Sequence, residues 1–274
     1  MPKDGGFYYD MHQHPMSEVE SISEIEDYVW PNAADPHRFK GLHDRSKAAF
    51  EQDKIVVLNG LCAGVTEMHS WLRGYEQYYM DFYLHPDLAR YLMDRIVDLK
   101  MDYWEAALAR AGEYVDVVVE ADDMAGQDRL LISPDTYREF IKPCHTRLFS
   151  FIKQQAPVKV FFHTCGAIRP LIGDLIESGV DILNPVQKSA GGMDLFELKR
   201  EFGEDVVFWG GGVDTQRAFP SGTPEEVRED VKESIDALAP GGGFVFATVH
   251  NTQADVPPEN FMAMWETWRE HGVY

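Results

Sequence analysis

The sequence predicts an α/β protein of the parallel (β/α)8 barrel type. Short, nearly continuous apolar runs alternate with longer segments in which apolar residues recur at helical spacing. Such apolar strands are typical of a parallel sheet that helices cover on both faces. Six strand–helix units follow residue 54, and this number favours a barrel over an open doubly wound sheet.

The predicted strands are short and rich in Val, Ile, Leu and Phe. They are Lys54–Cys62, Tyr114–Ala121, Val158–His163, Asp181–Asn184, Asp205–Gly210 and Gly243–Thr248. The predicted helices lie at about Val65–Leu84, Pro86–Ala111, Pro134–Gln155, Ile168–Ser178, Asp194–Phe202, Thr223–Leu238 and Pro258–His271. Ser133 followed by Pro134 is a strong helix start, because serine caps the first turn and proline fits its first position.

A single domain over residues 1–274 is predicted, since this length supports one large core better than two. Residues 1–53 are predicted to be irregular, and residues 54–274 carry the strand–helix units. An eight-stranded barrel of the TIM type needs two more strands than these units supply. Either the N-terminal segment supplies an unusual strand or the barrel is shortened at its start.

The formal charge of the chain is −21, with 46 acidic and 25 basic residues. This balance argues against nucleic acids and anionic membrane surfaces as partners, because both are bound through Lys and Arg. No segment approaches the roughly 18 continuous apolar residues of a membrane span, and no apolar core follows the N-terminus as in a signal peptide. Three scattered cysteines favour a reducing compartment, so we expect a cytoplasmic protein.

Candidate functional residues follow the strands, where parallel barrels gather their active-site loops. The most specific pattern is His163-Thr164-Cys165-Gly166, at the end of a predicted strand. An imidazole and a thiolate two residues apart can turn toward one ion, and Zn²⁺ prefers such nitrogen and sulfur donors. A buried cysteine in an N-capping turn is the structural alternative for the same residues.

Two further groups follow other predicted strands. Glu120, Asp122 and Asp123 place three carboxylates close together, which is costly unless a cation or a shared proton compensates. A solvated acidic turn or a helix start is the alternative interpretation. His250 comes after the last strand and could be a metal ligand, a general acid or base, or a structural histidine.

Five segments together resemble one family. They are residues 132–140 (ISPDTYREF), 163–172 (HTCGAIRPLI), 179–187 (GVDILNPVQ), 210–214 (GGGVD) and 249–260 (VHNTQADVPPEN). With them the chain resembles the uroporphyrinogen decarboxylase superfamily over roughly residues 54–272, and most of all its branch of corrinoid-dependent methyltransferases. The combination is specific for the superfamily and not for one substrate.

In the methyltransferase branch, the resemblance implies a zinc ion held by a His-x-Cys pair, a later cysteine and often an acidic residue. His163 and Cys165 match the pair, and Asp122 falls where the acidic ligand is expected, with Glu120 and Asp123 as register alternatives. The later cysteine is absent, and His250 stands near its place. Zinc in that branch presents a thiol acceptor as its thiolate to a methyl-corrinoid.

The leading hypothesis is therefore a zinc-dependent methyltransferase. Its partners would be a corrinoid protein or free methylcobamide, and a small-molecule methyl acceptor. The site is expected to combine metal ligands (His163, Cys165, His250, Asp122), catalytic groups (Asp122, His250, Asp214) and residues that line the cofactor pocket (Asn184, Gln187, Asp123).

Two other hypotheses stay open. A metal-independent lyase of the decarboxylase type would use Asp122 or Asp123 to stabilise a protonated pyrrole-like intermediate, with His250 assisting. The N-terminal arginine cluster that this branch uses for acidic tetrapyrroles has no counterpart among residues 1–50, where Arg38 and Arg45 stand alone. A non-catalytic barrel that binds a corrinoid or a protein partner is the third hypothesis. Homo-oligomerisation is open in each case.

Overall fold

The computed structural model describes residues 11–272 and contains six strands in that range. They are β1 Val57–Asn59, β2 Val117–Ala121, β3 Lys159–His163, β4 Ile182–Asn184, β5 Val207–Trp209 and β6 Phe244–Val245. Their order in the sheet is their order in the chain, and the pairs β1–β2, β4–β5 and β5–β6 are parallel. Each strand falls within its predicted range, so the predicted parallel α/β class is confirmed.

Helices connect these strands, most of them in the predicted places, and further helices precede β1. They are α1 Ile22–Glu26, α2 Leu42–Phe50, α3 Val65–Arg73, α4 Tyr75–Leu84, α5 Pro86–Ala111, α6 Pro134–Thr136, α7 Lys142–Gln155, α8 Arg169–Ser178, α9 Leu195–Phe202, α10 Ala218–Ser221, α11 Pro224–Leu238 and α12 Pro258–His271. A short 3₁₀ helix spans Pro36–Phe39, and a π-helical turn at Tyr137–Ile141 joins α6 to α7. The hydroxyl of Ser133 accepts from the Thr136 amide, as the predicted helix start requires.

The prediction of one helix over Val65–Leu84 was wrong, because the chain forms two helices there. Gly74 separates α3 from α4, and its φ of 83° lies outside the helical region. A glycine adopts this angle without the steric cost that a side chain would add. The apolar spacing continues across the break, which is why the sequence pattern alone suggested one helix.

The prediction of an irregular segment over residues 1–53 was wrong for much of its described part. Helices α1 and α2 and the 3₁₀ helix lie there, and no strand is described between residues 11 and 56. Met16 and Ile25 are fully buried and pack against Leu88, Leu92 and Ile96 of the long helix α5. This long-range packing orders the segment, although its local sequence is weakly patterned. Residues 1–10 lie outside the described range.

The chain divides into two compact units. Among the described residues, the first unit comprises residues 11–123, 133–161 and 177–179, and the second comprises residues 124–132, 162–176 and 180–272. The prediction of a single domain over residues 1–274 stays a prediction. Strand β3 belongs to the first unit up to residue 161 and to the second at residues 162–163.

The first unit contains a buried ion pair that fixes its N-terminal segment. Arg73, at the end of α3, contacts both carboxylate oxygens of Asp81 through Nε at 2.7 Å and a terminal nitrogen at 3.0 Å. Its other terminal nitrogen donates to the backbone oxygens of Met16 and Val19. Because the guanidinium is buried, these bonds compensate its desolvation and connect residues 16–19 to α3 and α4.

The second unit contains β4, β5 and β6 and the helices that follow them in the chain. Leu183 and Phe208 of the strands are buried, as are Val231 of α11 and Ala263 of α12, and these two helices pack on each other. The buried amide of Asn260 donates to the backbone oxygens of Phe219 and Gly222, and so joins the start of α12 to the α10 turn. No helix between residues 11 and 272 combines the length and the hydropathy needed to cross a bilayer.

Candidate metal centre

Three side chains of metal-binding type meet in the second unit. His163 ends β3, Cys165 lies in the turn after it, and His250 follows β6. One donor atom from each residue lies within 4.8 Å of the other two. All three residues are half-buried. His163 and His250 also line a cavity of about 430 Å³, together with Asn184, Thr248, Val249, Asn251 and Thr252.

The two ring nitrogens of His163 have different neighbours. Nδ1 lies 2.6 Å from Oδ1 of Asn184, and the Asn184 amide nitrogen in turn donates to the Trp209 backbone oxygen at 2.7 Å. Nε2 lies 3.3 Å from Sγ of Cys165. A metal-binding histidine usually donates its other ring N–H to a hydrogen-bond acceptor, and Nδ1 of His163 has such a partner in Asn184.

The donor chemistry of this group fits zinc. Two imidazoles and one thiolate make a set of three protein ligands, the number found in catalytic zinc sites that keep a fourth position for water or substrate. A thiol must lose its proton to bind a metal, and Nε2 of His163 lies within hydrogen-bonding distance of this thiol. Asp122 is not a member of this group.

Gln187 supports the turn that carries Cys165. Its Oε1 accepts from the Gly166 amide at 2.8 Å, and its Nε2 donates to Oε1 of Gln127 at 2.8 Å. The Gln127 amide nitrogen donates to the backbone oxygen of Ser189. Both polar atoms of Gln187 thus have protein partners, and one of these partners is in the turn that carries Cys165.

Asp214 lies in the loop after β5 and is mostly buried. Its Oδ1 accepts from the Gln216 amide at 2.9 Å, and its own amide donates to Asp230 at 2.8 Å. Lys188 bridges to the same Asp230 carboxylate at 2.7 Å. These residues line a second cavity, of about 480 Å³, and do not belong to the group of three metal-binding side chains.

Asp122, which follows β2, is fully buried and belongs to a hydrogen-bond network in the first unit. Its carboxylate accepts from the backbone amides of Thr66 and Glu67, from the Thr66 hydroxyl and from Nε2 of His145. Burial alone would raise the pKa of Asp122, but the hydrogen bonds from His145 and Thr66 hold it below its usual value. We call this set of four residues the Asp122 network.

The Asp122 network caps helix α3. The N-cap residue is Gly64, which has no side chain to accept from the first-turn amides. The Asp122 carboxylate takes that role, and a Cβ on Gly64 would lie 2.2 Å from its Oδ1. A glycine at the N-cap is therefore combined with a carboxylate that follows β2. The negative charge of this carboxylate is also favourable at the positive, N-terminal end of the helix dipole.

Glu67 belongs to this network through its backbone amide, and its side chain is half-buried. Burial, followed by the charges of Asp122 and Asp123, raises its pKa to about 7. Its carboxylate accepts from the Gly64 amide at 3.2 Å and from the backbone of Asp123. Asp123, predicted to line the cofactor pocket, contributes here through its backbone and its charge.

Glu120, the first of the three predicted carboxylates, is paired inside the first unit. Its two oxygens accept from Lys100 at 2.7 Å and from the Trp104 indole at 2.6 Å. Burial opposes the charge on Lys100, but Glu120 raises the pKa of the ammonium above its usual value. Each carboxylate in this stretch of sequence thus has a different environment.

Sequence reasoning missed the residues that complete these networks. Glu67 stands three residues after the N-cap, which is the spacing of a capping box and could have indicated its position. Thr66, Gln127 and His145 carried no comparable signal. The His145 ring, on α7, is buried between Asp122 and the Tyr137 hydroxyl.

The fold and these strand-end residues define a parallel α/β protein with a candidate metal centre in its second unit. The model of the family described as "Uroporphyrinogen decarboxylase (URO-D)" matches residues 6–271, and the chain belongs to this family. The resemblance predicted from the sequence is thereby confirmed, and with it the barrel type of the fold. Enzymes named as decarboxylases and as methyltransferases both occur among its relatives.

The curated relatives include both activities. The chain is 28% identical over 183 residues to a uroporphyrinogen decarboxylase of Psychromonas ingrahamii, a match that covers 65% of this chain and 47% of that protein. It is 26% identical over 193 residues to a methylated-thiol–coenzyme M methyltransferase of Methanosarcina mazei, covering 69% of this chain and 46% of the relative. The chain thus spans about half the length of the curated relatives it matches.

Among solved structures, a methyltransferase from Methanosarcina mazei has the same fold. The superposition gives a TM-score of 0.66 at 20% sequence identity, and it covers 86% of this chain and 65% of the other. This likeness supports the predicted barrel fold.

Proposed function

We propose that the protein is a zinc-dependent methyltransferase that moves a methyl group between a methyl-corrinoid and a thiol or similar acceptor. The observation that carries the proposal is the convergence of His163, Cys165 and His250 within 4.8 Å. Membership of a family with methyltransferase relatives supports it. The proposed partners are a corrinoid protein or free methylcobamide, and a small-molecule acceptor.

The proposed ligands are His163, Cys165 and His250. Asp122 is left out, because its carboxylate already accepts from four donors in the first unit. Zinc bound to the three ligands would supply a Lewis acid that holds an acceptor thiol as its thiolate. The chain itself orients the His163 ring through Asn184, supports the Cys165 turn through Gln187, and offers a cavity of about 430 Å³ to the acceptor.

The competing proposal is a metal-independent lyase of the decarboxylase type. It is favoured by the uroporphyrinogen decarboxylases among the relatives, the first of which is 28% identical. Such a lyase would turn over an acidic tetrapyrrole after complete removal of metal. The methyltransferase would not.

Zinc binding tests the proposal, with Cys62→Ser as a matched control for Cys165→Ser. Cys62 is an exposed cysteine of the first unit, outside the ligand group. Purified wild-type protein and the control should bind one zinc per chain by elemental analysis. Cys165→Ser and His250→Ala should bind it at least about 100-fold more weakly, since each removes a ligand.

The same proteins are then assayed for demethylation of methylcobalamin by thiols, which is followed by the corrinoid absorbance. Activity should follow zinc occupancy. Two results would contradict the proposal: wild-type protein that binds no zinc, or a Cys165→Ser variant that keeps both zinc and methyl transfer.

A further inference from the structure

The side-chain amide of Asn184 lies between a backbone carbonyl, which can only accept, and an imidazole nitrogen, which donates or accepts according to its tautomer. On one side is the backbone oxygen of Trp209 in β5, and on the other is the His163 ring at the end of β3. We propose that Asn184 is a positioning residue that holds His163 as the tautomer with hydrogen on Nδ1, so that Nε2 is the metal-binding atom. The consequence for zinc rests on the proposed function, whereas the tautomer does not.

The Trp209 carbonyl can only accept a hydrogen bond. The Asn184 atom that lies 2.7 Å from it must therefore be the NH₂ nitrogen. The reverse orientation would place two oxygens at this distance with no hydrogen between them. The backbone of β5 thus decides which way the amide of Asn184 faces.

The orientation of the amide then decides the tautomer of His163. With Nδ2 facing Trp209, Oδ1 faces Nδ1 of His163 at 2.6 Å. This oxygen only accepts, so Nδ1 must carry the hydrogen. A neutral ring with hydrogen on Nδ1 has its lone pair on Nε2.

That lone pair faces the second proposed ligand. Nε2 lies 3.3 Å from Sγ of Cys165, and the backbone amide of Thr164 donates to the Asn184 backbone oxygen at 2.8 Å. Asn184 therefore holds the His163 ring through its side chain and holds Thr164, which lies between His163 and Cys165, through its backbone. His163 is prepared to bind through Nε2 before any metal arrives, which reduces the cost of ordering the site.

Nitrogen-15 NMR of the metal-free protein tests the tautomer directly. Long-range correlations in histidine-labelled protein distinguish a protonated Nδ1 from a protonated Nε2. Wild-type protein should show neutral His163 in the Nδ1–H form alone. Asn184→Leu, which removes both hydrogen bonds, should give a mixture of tautomers. Asn251→Leu, a change at an exposed asparagine of the same cavity, should leave the tautomer as in wild type.

Asn184→Asp separates the two hydrogen bonds of this residue. An aspartate can still accept from Nδ1 of His163, but it cannot donate to the Trp209 oxygen. We expect Asn184→Asp to keep His163 in the Nδ1–H form. This variant still tests the inference if Asn184→Leu does not fold, which the denaturation midpoint of each variant would show.

Affinity for Co²⁺, read from its visible absorption bands, should fall by about 10- to 100-fold in Asn184→Leu, as for other residues that orient a histidine ligand. It should fall less in Asn184→Asp. Wild-type protein with hydrogen on Nε2 of His163, or Asn184→Leu with an unchanged pure Nδ1–H form, would overturn the inference. Failure of the proposed function gives a different result: the tautomer is as expected, and no metal binds.

Discussion

The two units of the protein each place a polar cluster after a β-strand, and the two clusters differ in how their atoms are used. In the Asp122 network, one carboxylate meets four donors and the residue is 0% exposed. In the candidate metal centre, three half-buried side chains converge beside a cavity of about 430 Å³.

The difference lies in hydrogen-bond capacity. A carboxylate has about four lone-pair sites, and the four donors around Asp122 match that number. Its charge is therefore compensated inside the first unit, and binding a cation there would require hydrogen bonds to break. At the candidate metal centre, Asn184 orients the His163 ring so that Nε2 faces the sulfur of Cys165. Asp122 thus serves here as a helix cap, and the proposed metal site lies elsewhere.

Removal of the Asp122 carboxylate should have the largest effect on stability. Asp122→Ala leaves two backbone amides, a hydroxyl and the buried His145 ring without their acceptor. We expect the free energy of unfolding to fall by about 3–5 kcal/mol, as when one member of a buried charged network is lost. Chemical denaturation measures this.

Asp123→Ala is the matched control for that experiment, because the same change at the adjacent residue leaves the four hydrogen bonds in place. It should cost less than about 1 kcal/mol. Equal losses of stability in the two variants would show that the four hydrogen bonds of Asp122 do not account for the effect of Asp122→Ala.

Gly64→Ala should have an intermediate effect, for a purely steric reason. The φ of Gly64 is −65°, which alanine adopts readily, but the new Cβ would lie 2.2 Å from both the Ala121 backbone oxygen and the Asp122 carboxylate. We expect the free energy of unfolding to fall by about 1–3 kcal/mol.

Gly173→Ala provides the opposite control. Gly173 lies inside α8 and nothing lies within 4 Å of its added Cβ, so the substitution should stabilise by about 1 kcal/mol through helix propensity. If both alanine variants change stability in the same direction, the steric account of the Gly64 cap is wrong.

The smallest expected effect is a dependence on pH at Glu67. The pKa of Glu67 is about 7 in the folded protein, against 4.5 as its ordinary value. The folded state therefore binds more protons than the unfolded state between these values, and stability falls as pH rises through this window. Glu67→Gln removes this pH-dependent loss of stability, because glutamine does not titrate, and it keeps an acceptor for the Gly64 amide.

Wild type and Glu67→Gln should therefore be about equally stable near pH 4, and the variant should be more stable near pH 8. Denaturation curves at both pH values measure the difference. A constant difference across the range would mean that Glu67 titrates as an ordinary exposed glutamate.

Several features could be predicted because they depend on local pattern. Apolar runs located all six strands, and the bounds of α5 and α12 agree with the predicted ones, since periodic spacing and proline starts are local signals. His163 and Cys165 are two residues apart at a strand end, so their proximity also follows from the sequence.

Other features depended on residues that are distant in the chain. Asp122 and His145 are 23 residues apart, and Asp122 and Thr66 are 56 apart, so no spacing rule connects the carboxylate to the partners that saturate it. The helices of residues 22–50 were missed for the same reason, because the buried contacts of Ile25 are made with α5.

The sequence by itself determined the parallel α/β class, the family resemblance and the His-x-Cys pair, because each is written in neighbouring residues. Only the tertiary structure decided which polar groups have all their hydrogen-bond partners within the protein. It assigned Asp122 to the N-terminus of α3 and brought His250 to His163 and Cys165. Whether a side chain can bind a ligand depends on the donors and acceptors around it, and packing sets those across the whole chain.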